Sequence, residues 1–494
     1  MRCLSWSSVI LVSSCVLSGC GGGASDSATP PPAAPPPSLV APSITQQPIP
    51  LAVDEGGSAT FSVSAAGTAP LAYQWRRNGQ AIDGATQSSL TMPATAFYDG
   101  GARFSAVVSN AAGQVVSSDA ELTVRIRPKL ALCSTAFVVR ADGTVWSWGA
   151  NERLTLGRGS TNPANQPTPQ QIPGLADVVT IACGFGHALA LLRDGSVRAW
   201  GYNSNGQLGD GTRVNRAAPV AVAGLTDVVA LAAGLEGSYA LRRDGTLWMW
   251  GVMASKALFP GATVPADPAA RLAPVQLTTP EPMRALAVRY QDPTDAGLVV
   301  GRSGQVYFFG RDLRSMSGTG FSESAVQVAG LTSAISVVVG ISTAGALRAD
   351  GSVWVWGSSR GGQFGDGQTG PNLFSSQPRQ VPGLPVISAL SFNSEHLIAI
   401  DANATMWSWG VNSYGELGRP TNPNAPSQAA TPTLAAAPTD VETVVAGAVA
   451  NSMAMTRDGR IWSWGYNFSG TLGVPYSQTI AAEAPTLVSG VTGR

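Results

Sequence analysis

The residues that could do chemistry are few, and they lie far apart. The chain has only two histidines, His187 and His396, and no His, Cys, Asp or Glu cluster at the spacing a metal site needs. Each histidine opens a short apolar run, which suits a hydrogen-bonding residue at the start of a strand. No phosphate loop occurs. Asp210-Gly211 and Asp366-Gly367 read as turns, because a calcium loop requires a run of alternating acids. No catalytic residue, metal ligand or cofactor is therefore assigned. Carboxylates converging from distant segments are the one route left to catalysis. Cys3, Cys15 and Cys20 sit at the start of the chain, and Cys133 and Cys183 lie further on. An oxidising compartment lets the last two pair if their Cα atoms come within about 7 Å. Otherwise they are two buried thiols, and both alternatives stand.

The elements that must position these residues are copies of one strand-turn-strand unit. It is clearest as Arg193-Asp194-Gly195-Ser196-Val197-Arg198-Ala199-Trp200-Gly201. The other copies centre on Trp148-Gly149, Trp250-Gly251, Phe309-Gly310, Trp356-Gly357, Trp409-Gly410 and Trp464-Gly465, with glycines 52, 50, 59, 47, 53 and 55 residues apart. A period near fifty with strand-like content implies a ring of small sheets. A turn dipeptide precedes each copy, such as Asp142-Gly143 or Asp350-Gly351, and predicts a type I′ hairpin with positive φ at both residues. Asn403-Ala404 fits poorly, so the sixth turn should be relaxed. Trp146 and Trp148, two apart on a strand, share a face, as do the pairs ending at Trp250, Trp356, Trp409 and Trp464. These tryptophans read as packing between sheets. Beyond the aromatic-Gly comes Asn203-Ser204-Asn205-Gly206-Gln207-Leu208-Gly209, repeated as Asn412 to Gly418 and Asn467 to Gly473.

Strand, Asp-Gly, Trp-Gly and Asn-x-x-Gly-x-Leu-Gly together resemble the repeat of the regulator of chromosome condensation family. Seven copies span residues 127–494. The resemblance implies an all-β fold, a seven-bladed β-propeller with four strands per blade. Both histidines align with the histidine of the family's Gly-x-x-His element, with Asn393 in the glycine's place ahead of His396. The stretch from Val252 to Gly297 is the least regular and reads as drift in surface loops or as a modified rim.

Ahead of the repeats, a basic start, the apolar run Leu4 to Val16 and Leu17-Ser18-Gly19-Cys20 make residues 1–19 a signal peptide. Leu-Ser-Gly-Cys is similar to the lipobox of bacterial lipoproteins, which implies cleavage before Cys20 and lipid on it. Residues 20–41, with Pro30-Pro31-Pro32 and Pro35-Pro36-Pro37, form a tether. Residues 42–125 resemble an immunoglobulin-like β-sandwich, with Trp75 on a central strand and Asn78-Gly79 as a hairpin turn. The usual cysteine pair is missing. Val63 and Ala106 stand in its place, so Trp75 must hold the sheets by packing alone.

Thirty basic and thirty acidic residues cancel, only 12% of the chain is charged, and lysine occurs only at Lys129 and Lys256. No basic face exists for phosphate, so nucleic acid is not an expected partner. The expected protein is a non-catalytic, monomeric lipoprotein of the bacterial cell envelope, at the outer membrane. Its propeller should bind a protein or a glycan. Tyr202, Tyr414, Tyr466 and Phe468 are the expected contacts, since aromatic anchors carry much interface energy. The alternatives are an inhibitor of an extracellular enzyme and a lyase or glycosidase with its site in the channel. A secreted bacterial β-lactamase inhibitor has a similar propeller, but no residues carry that function over.

Overall fold

The computed structural model describes residues 38–252, 271–289, 296–309, 326–393, 395–421, 428–435 and 437–494. Blade 2 shows how a repeat folds. Its strands Val178–Cys183, His187–Leu192, Val197–Gly201 and Arg216–Ala221 pair antiparallel in chain order. The second strand is buried from His187 to Leu191 because neighbouring blades cover both its faces, and so it reads as a continuous apolar run. The fourth strand lies outermost and is largely exposed or half-buried.

Seven such four-stranded sheets follow one another. Their first strands are Lys129–Leu132, Val178–Cys183, Val228–Ala233, Met283–Val288, Ala334–Val339, Ile387–Asn393 and Val441–Ala446. Each touches the first strand of the next blade, and the seventh touches the first, so the ring is closed around these innermost strands. At the closing seam, Val488 and Val491 pack with Leu132, Val138 and Trp148. Gly493 accepts a hydrogen bond from the Ala141 amide at 2.9 Å.

The turns joining second and third strands form one rim, the hairpin rim. They differ from the type I′ expectation. Gly143 donates to the Arg140 carbonyl at 2.9 Å, and only Gly143 has positive φ (77°) while Asp142 does not. This is a three-residue loop, a type I turn closed by a left-handed glycine. The Asp142 carboxylate accepts from the Thr144 amide at 2.9 Å, which explains the aspartate. The sixth turn is not relaxed. Ala404 takes φ 62°, and its amide donates to Asp401 at 3.1 Å as in the other copies. The opposite, loop rim holds the Trp-Gly ends. The Trp-Gly glycines at 149, 201, 251, 357, 410 and 465 have φ between 84° and 106°. A Cβ on Gly410 would stand 2.6 Å from the Glu395 carbonyl oxygen and 3.0 Å from the His396 Cα. Gly310 and the irregular stretches 253–270 and 290–295 lie outside the described residues.

The N-terminal domain has two layers. One sheet runs Leu51–Asp54, Ala120–Arg125, Arg103–Asn110, Ala72–Arg77 and Gln80–Ala81, with Gly113–Val116 beside Arg103–Asn110. Facing it are the pairs Ala59–Ser62 with Ser89–Met92 and Ser43–Gln46 with Ser64–Ala66. Trp75 is fully buried with Phe61, Val63, Phe104 and Ala106. Asn78 and Gly79 both have positive φ (49° and 81°), a two-residue type I′ turn. Bonding begins before residue 42: the Val40 amide donates to the Thr68 hydroxyl at 2.8 Å. Residues 1–37, which hold the signal and most of the tether, lie outside the described residues.

The domain sits on the hairpin rim at blades 2 and 3. Phe97 and Ile126 are buried in one cluster with Val179, Leu191 and Ala233. Arg193 donates to the Val124 carbonyl at 3.1 Å, and Arg243 lies 4.8 Å from the Tyr98 ring centre.

Candidate functional site

The Asn-x-x-Gly-x-Leu-Gly loop is built from its asparagine outward. The Asn203 side-chain oxygen accepts from the Leu208 amide at 2.9 Å, while its nitrogen donates to the Thr212 and Val214 carbonyls, each at 3.1 Å. Asn412 and Asn467 repeat this with Leu417 and Leu472. The last glycine leaves room for the next blade: a Cβ on Gly209 would meet Trp250 at 2.8 Å. The indole of Trp250 in turn donates to the Gln207 carbonyl at 2.8 Å. The same bond joins Trp200 to Thr155, Trp409 to Gln363 and Trp464 to Glu416. The tryptophans of blades 1, 2, 3, 6 and 7 therefore fasten each of these blades to the one before it.

The histidines serve the same seams. Ser238 donates its hydroxyl to the Gln207 carbonyl at 2.8 Å, so its oxygen accepts from His187 Nε2, 2.9 Å away. Ser452 does the same for His396 at 2.9 Å, with the Glu416 carbonyl as its acceptor. Burial pushes both imidazoles down to about 3, so they are neutral hydrogen-bonding groups. Burial also raises the carboxyl of Glu416. Among the described residues, no three His, Cys, Asp or Glu stand close enough to hold a metal ion.

Of the four expected contact residues, three meet. The Tyr414 and Tyr466 ring centres are 4.7 Å apart, and those of Tyr466 and Phe468 are 6.3 Å apart. Tyr476, absent from the sequence reading, joins them 6.1 Å from Tyr466. Tyr202 lies apart, on the next side of the loop rim, with the Arg153 guanidinium 4.7 Å from its ring centre. Arg153 is also 4.7 Å from the ring of Phe185, a second residue the sequence did not single out. Phe185 and Phe468 line one small pocket, which joins the two groups into an aromatic arc over blades 6, 7, 1 and 2. Tyr414 and Tyr476 are each 44% exposed and Phe185 42%, so the arc packs on itself yet faces solvent.

Cys133 and Cys183 are joined by a disulfide between blades 1 and 2, with Cα atoms 6.2 Å apart. The pairing is possible because first strands converge at the axis, where adjacent blades are closest.

Comparison with known proteins agrees with this architecture. The model of the regulator of chromosome condensation (RCC1) repeat matches residues 142–191, 194–241 and 350–400, and a second model of that repeat matches 178–207. Residues 142–241 and 350–400 thus match RCC1 repeats. It is 29% identical over 342 residues to the ultraviolet-B receptor UVR8 of Arabidopsis thaliana, covering 67% of this chain and 62% of UVR8. It is 42% identical over 82 residues to human protein RCC2, 16% of this chain and 15% of RCC2. The match to human HERC6, a probable E3 ubiquitin-protein ligase, is 29% identical and covers 43% of this chain and 22% of that protein. The chain spans less than two thirds of each of these relatives. Among solved structures, Prp20p of Saccharomyces cerevisiae superposes with a TM-score of 0.61 at 21% identity, covering 74% of this chain and 88% of Prp20p. Human WBSCR16 gives 0.58 at 20% identity, covering 70% and 94%.

Proposed function

We propose that this chain is a non-catalytic scaffold of the bacterial cell envelope, exported on residues 1–19 and held by lipid on Cys20, whose propeller binds a protein partner through the loop rim. The observation that carries the reading is the aromatic arc, which lies on the rim opposite the docked N-terminal domain. Tyrosine and arginine are among the residues that anchor protein interfaces, and the arc holds four tyrosines and Arg153 beside two phenylalanines. RCC1-type propellers support it by analogy: yeast Prp20 has been solved bound to Kap60. The immunoglobulin-like domain then serves as a base that keeps the hairpin rim occupied. Export also suits the Cys133–Cys183 bond, and unreduced chain should yield no titratable thiol from those positions.

Photo-crosslinking from positions 414 and 466 in intact cells tests the reading, with Asp350 on the hairpin rim as control. Protein adducts should form from the loop rim and not from Asp350. Equal yields from both rims, or adducts that are carbohydrate, would overturn it. Cys20→Ser should move the chain from the membrane to the soluble fraction, and unchanged membrane retention would remove the anchor.

A further inference from the structure

We infer that the seam between blades 1 and 2 on the loop rim recognises a side-chain carboxylate carried beside an aliphatic residue on the partner polypeptide, with Arg153 as the anchor. The inference rests on the loop rim being the binding face, and it names what that face reads.

The Arg153 guanidinium is clamped, with its carbon 4.7 Å from the ring centres of both Phe185 and Tyr202. A cation packed against two rings has given up much of its conformational freedom before any ligand arrives. Among the described residues no carboxylate stands within 4 Å of it, and its neighbour Glu152 lines the same pocket without pairing with it. Among the described residues Arg153 makes no hydrogen bond or ion pair, whereas Arg77, Arg216, Arg379 and Arg460 each stand within 4 Å of a carboxylate. A guanidinium that meets aromatic rings and makes no hydrogen bond keeps its N–H donors for a ligand, and two of those donors match a carboxylate in parallel bonds.

Beside this edge lies a pocket of about 60 Å³ whose walls include Ala150, Thr155, Phe185 and Phe468. That volume takes one small aliphatic side chain. It is far below the roughly 300 Å³ at which pockets for free small molecules begin, so the ligand must be a protruding part of something larger.

The seam is shaped for this purpose on both sides. On blade 2, a Cβ at Gly186 would stand 3.3 Å from Arg153 Cβ and Cγ and run into its Cδ, so glycine there clears a bed for the arginine stem. On blade 1, Leu154 holds φ 63° where four other copies place Gly206, Gly362, Gly415 and Gly470. Branched side chains rarely adopt that conformation, and such outliers gather at recognition sites. Glu152, exposed beside Arg153, disfavours a partner with several acids together and so narrows the motif to a single carboxylate between uncharged residues.

The test uses the intact chain passed over immobilised peptides with Leu-Asp-Leu, Leu-Asn-Leu or Leu-Lys-Leu between Gly-Ser flanks, and a fourth whose only carboxylate is its C-terminus. The Asp peptide should bind about tenfold tighter than the Asn peptide, the usual scale of a charged hydrogen-bonded pair. Arg153→Gln and Arg153→Lys should both abolish the preference, with melting unchanged. Glu152→Gln should strengthen it, which checks the site in a variant that leaves the clamp intact. Equal binding of Asp and Asn peptides, a preference that survives Arg153→Gln, or binding of the C-terminal carboxylate alone would overturn the inference. Protein crosslinks from position 414 persisting beside a negative peptide result would remove this site and leave the scaffold reading standing.

Discussion

His187 meets Ser238 across the seam between blades 2 and 3, and His396 meets Ser452 across that between blades 6 and 7. The serine position, opposite the seam tryptophan, holds Ala136, Ala188, Gly297, Ala344 and Leu397 in the other blades. A histidine on one blade therefore coincides with a serine on the next, and nowhere else does either occur. The pair is a latch of neutral groups. His187 Nδ1 is buried with no partner, so a proton there would sit uncompensated. The consequence for stability has a definite sign. Folded imidazoles hold no proton until about pH 3, whereas unfolded ones take it up near 6.5. Stability is full above 6.5 and is lost as pH falls through the window from 6.5 toward 3, by roughly 1.4 kcal/mol per unit for each histidine. Melting followed from pH 7.5 to 5 should show this decline in the native chain. The His187→Gln, His396→Gln double variant should be flatter over that range, and parallel curves would refute the assignment. Turn carboxylates such as Asp194, held down first by the Ser196 hydroxyl and then by its amide, add their loss only at lower pH.

At the scale of the element, two hairpins that read alike in sequence behave differently. Asn78-Gly79 closes a two-residue loop with both φ positive, while Asp194-Gly195 is the end of a three-residue loop in which only the glycine is left-handed. The dipeptide signals a turn, but loop length fixes its type. In the blades that length is set by contact with the next blade, since Gly195 lies 3.0 Å, by its absent Cβ, from the Asp227 Cα. Ala404 must fit its methyl in the equivalent place at φ 62°. Ala404→Gly should therefore raise stability by about 1 kcal/mol, read by urea denaturation. Gly410→Ala should lower it by more, because its Cβ meets backbone. An Ala404→Gly chain less stable than the parent would show that the methyl packs more than it strains. The same contrast sets what was legible beforehand. Strand order, the tryptophan faces and the buried second strands follow from periodicity within one repeat. Tyr414, Tyr466 and Phe468 were legible as loop aromatics because Tyr414 and Phe468 fill variable positions of the Asn-x-x-Gly loop and Tyr466 follows Gly465. Arg153, Phe185 and Tyr476 were not, because their role comes from neighbouring loops meeting, and a repeat pattern does not say which side chains face each other across a seam.

The whole molecule is asymmetric in a way that neither part is alone. A ring offers two rims, and the N-terminal domain takes one of them. Its grip is apolar: Phe97 and Ile126 are 5% and 3% exposed among residues of blades 2 and 3. Burying two such side chains is worth roughly 1.5–3 kcal/mol each, before the Arg193 bond to Val124 and the Arg243–Tyr98 stack are added. That exceeds the thermal energy several times over, so the two domains should tumble as one body. Ile126→Asp would bury a carboxylate with no partner in this cluster, which the fold can relieve only by letting the domain swing away. Small-angle scattering should then show a larger radius of gyration than the parent, with the propeller's own melting little changed. If the variant scatters like the parent, the contact is not what sets the arrangement, and the loop rim loses its claim to be the free face. If the domain separates while crosslinking from position 414 continues, the arc binds on its own and the sandwich acts only as its base.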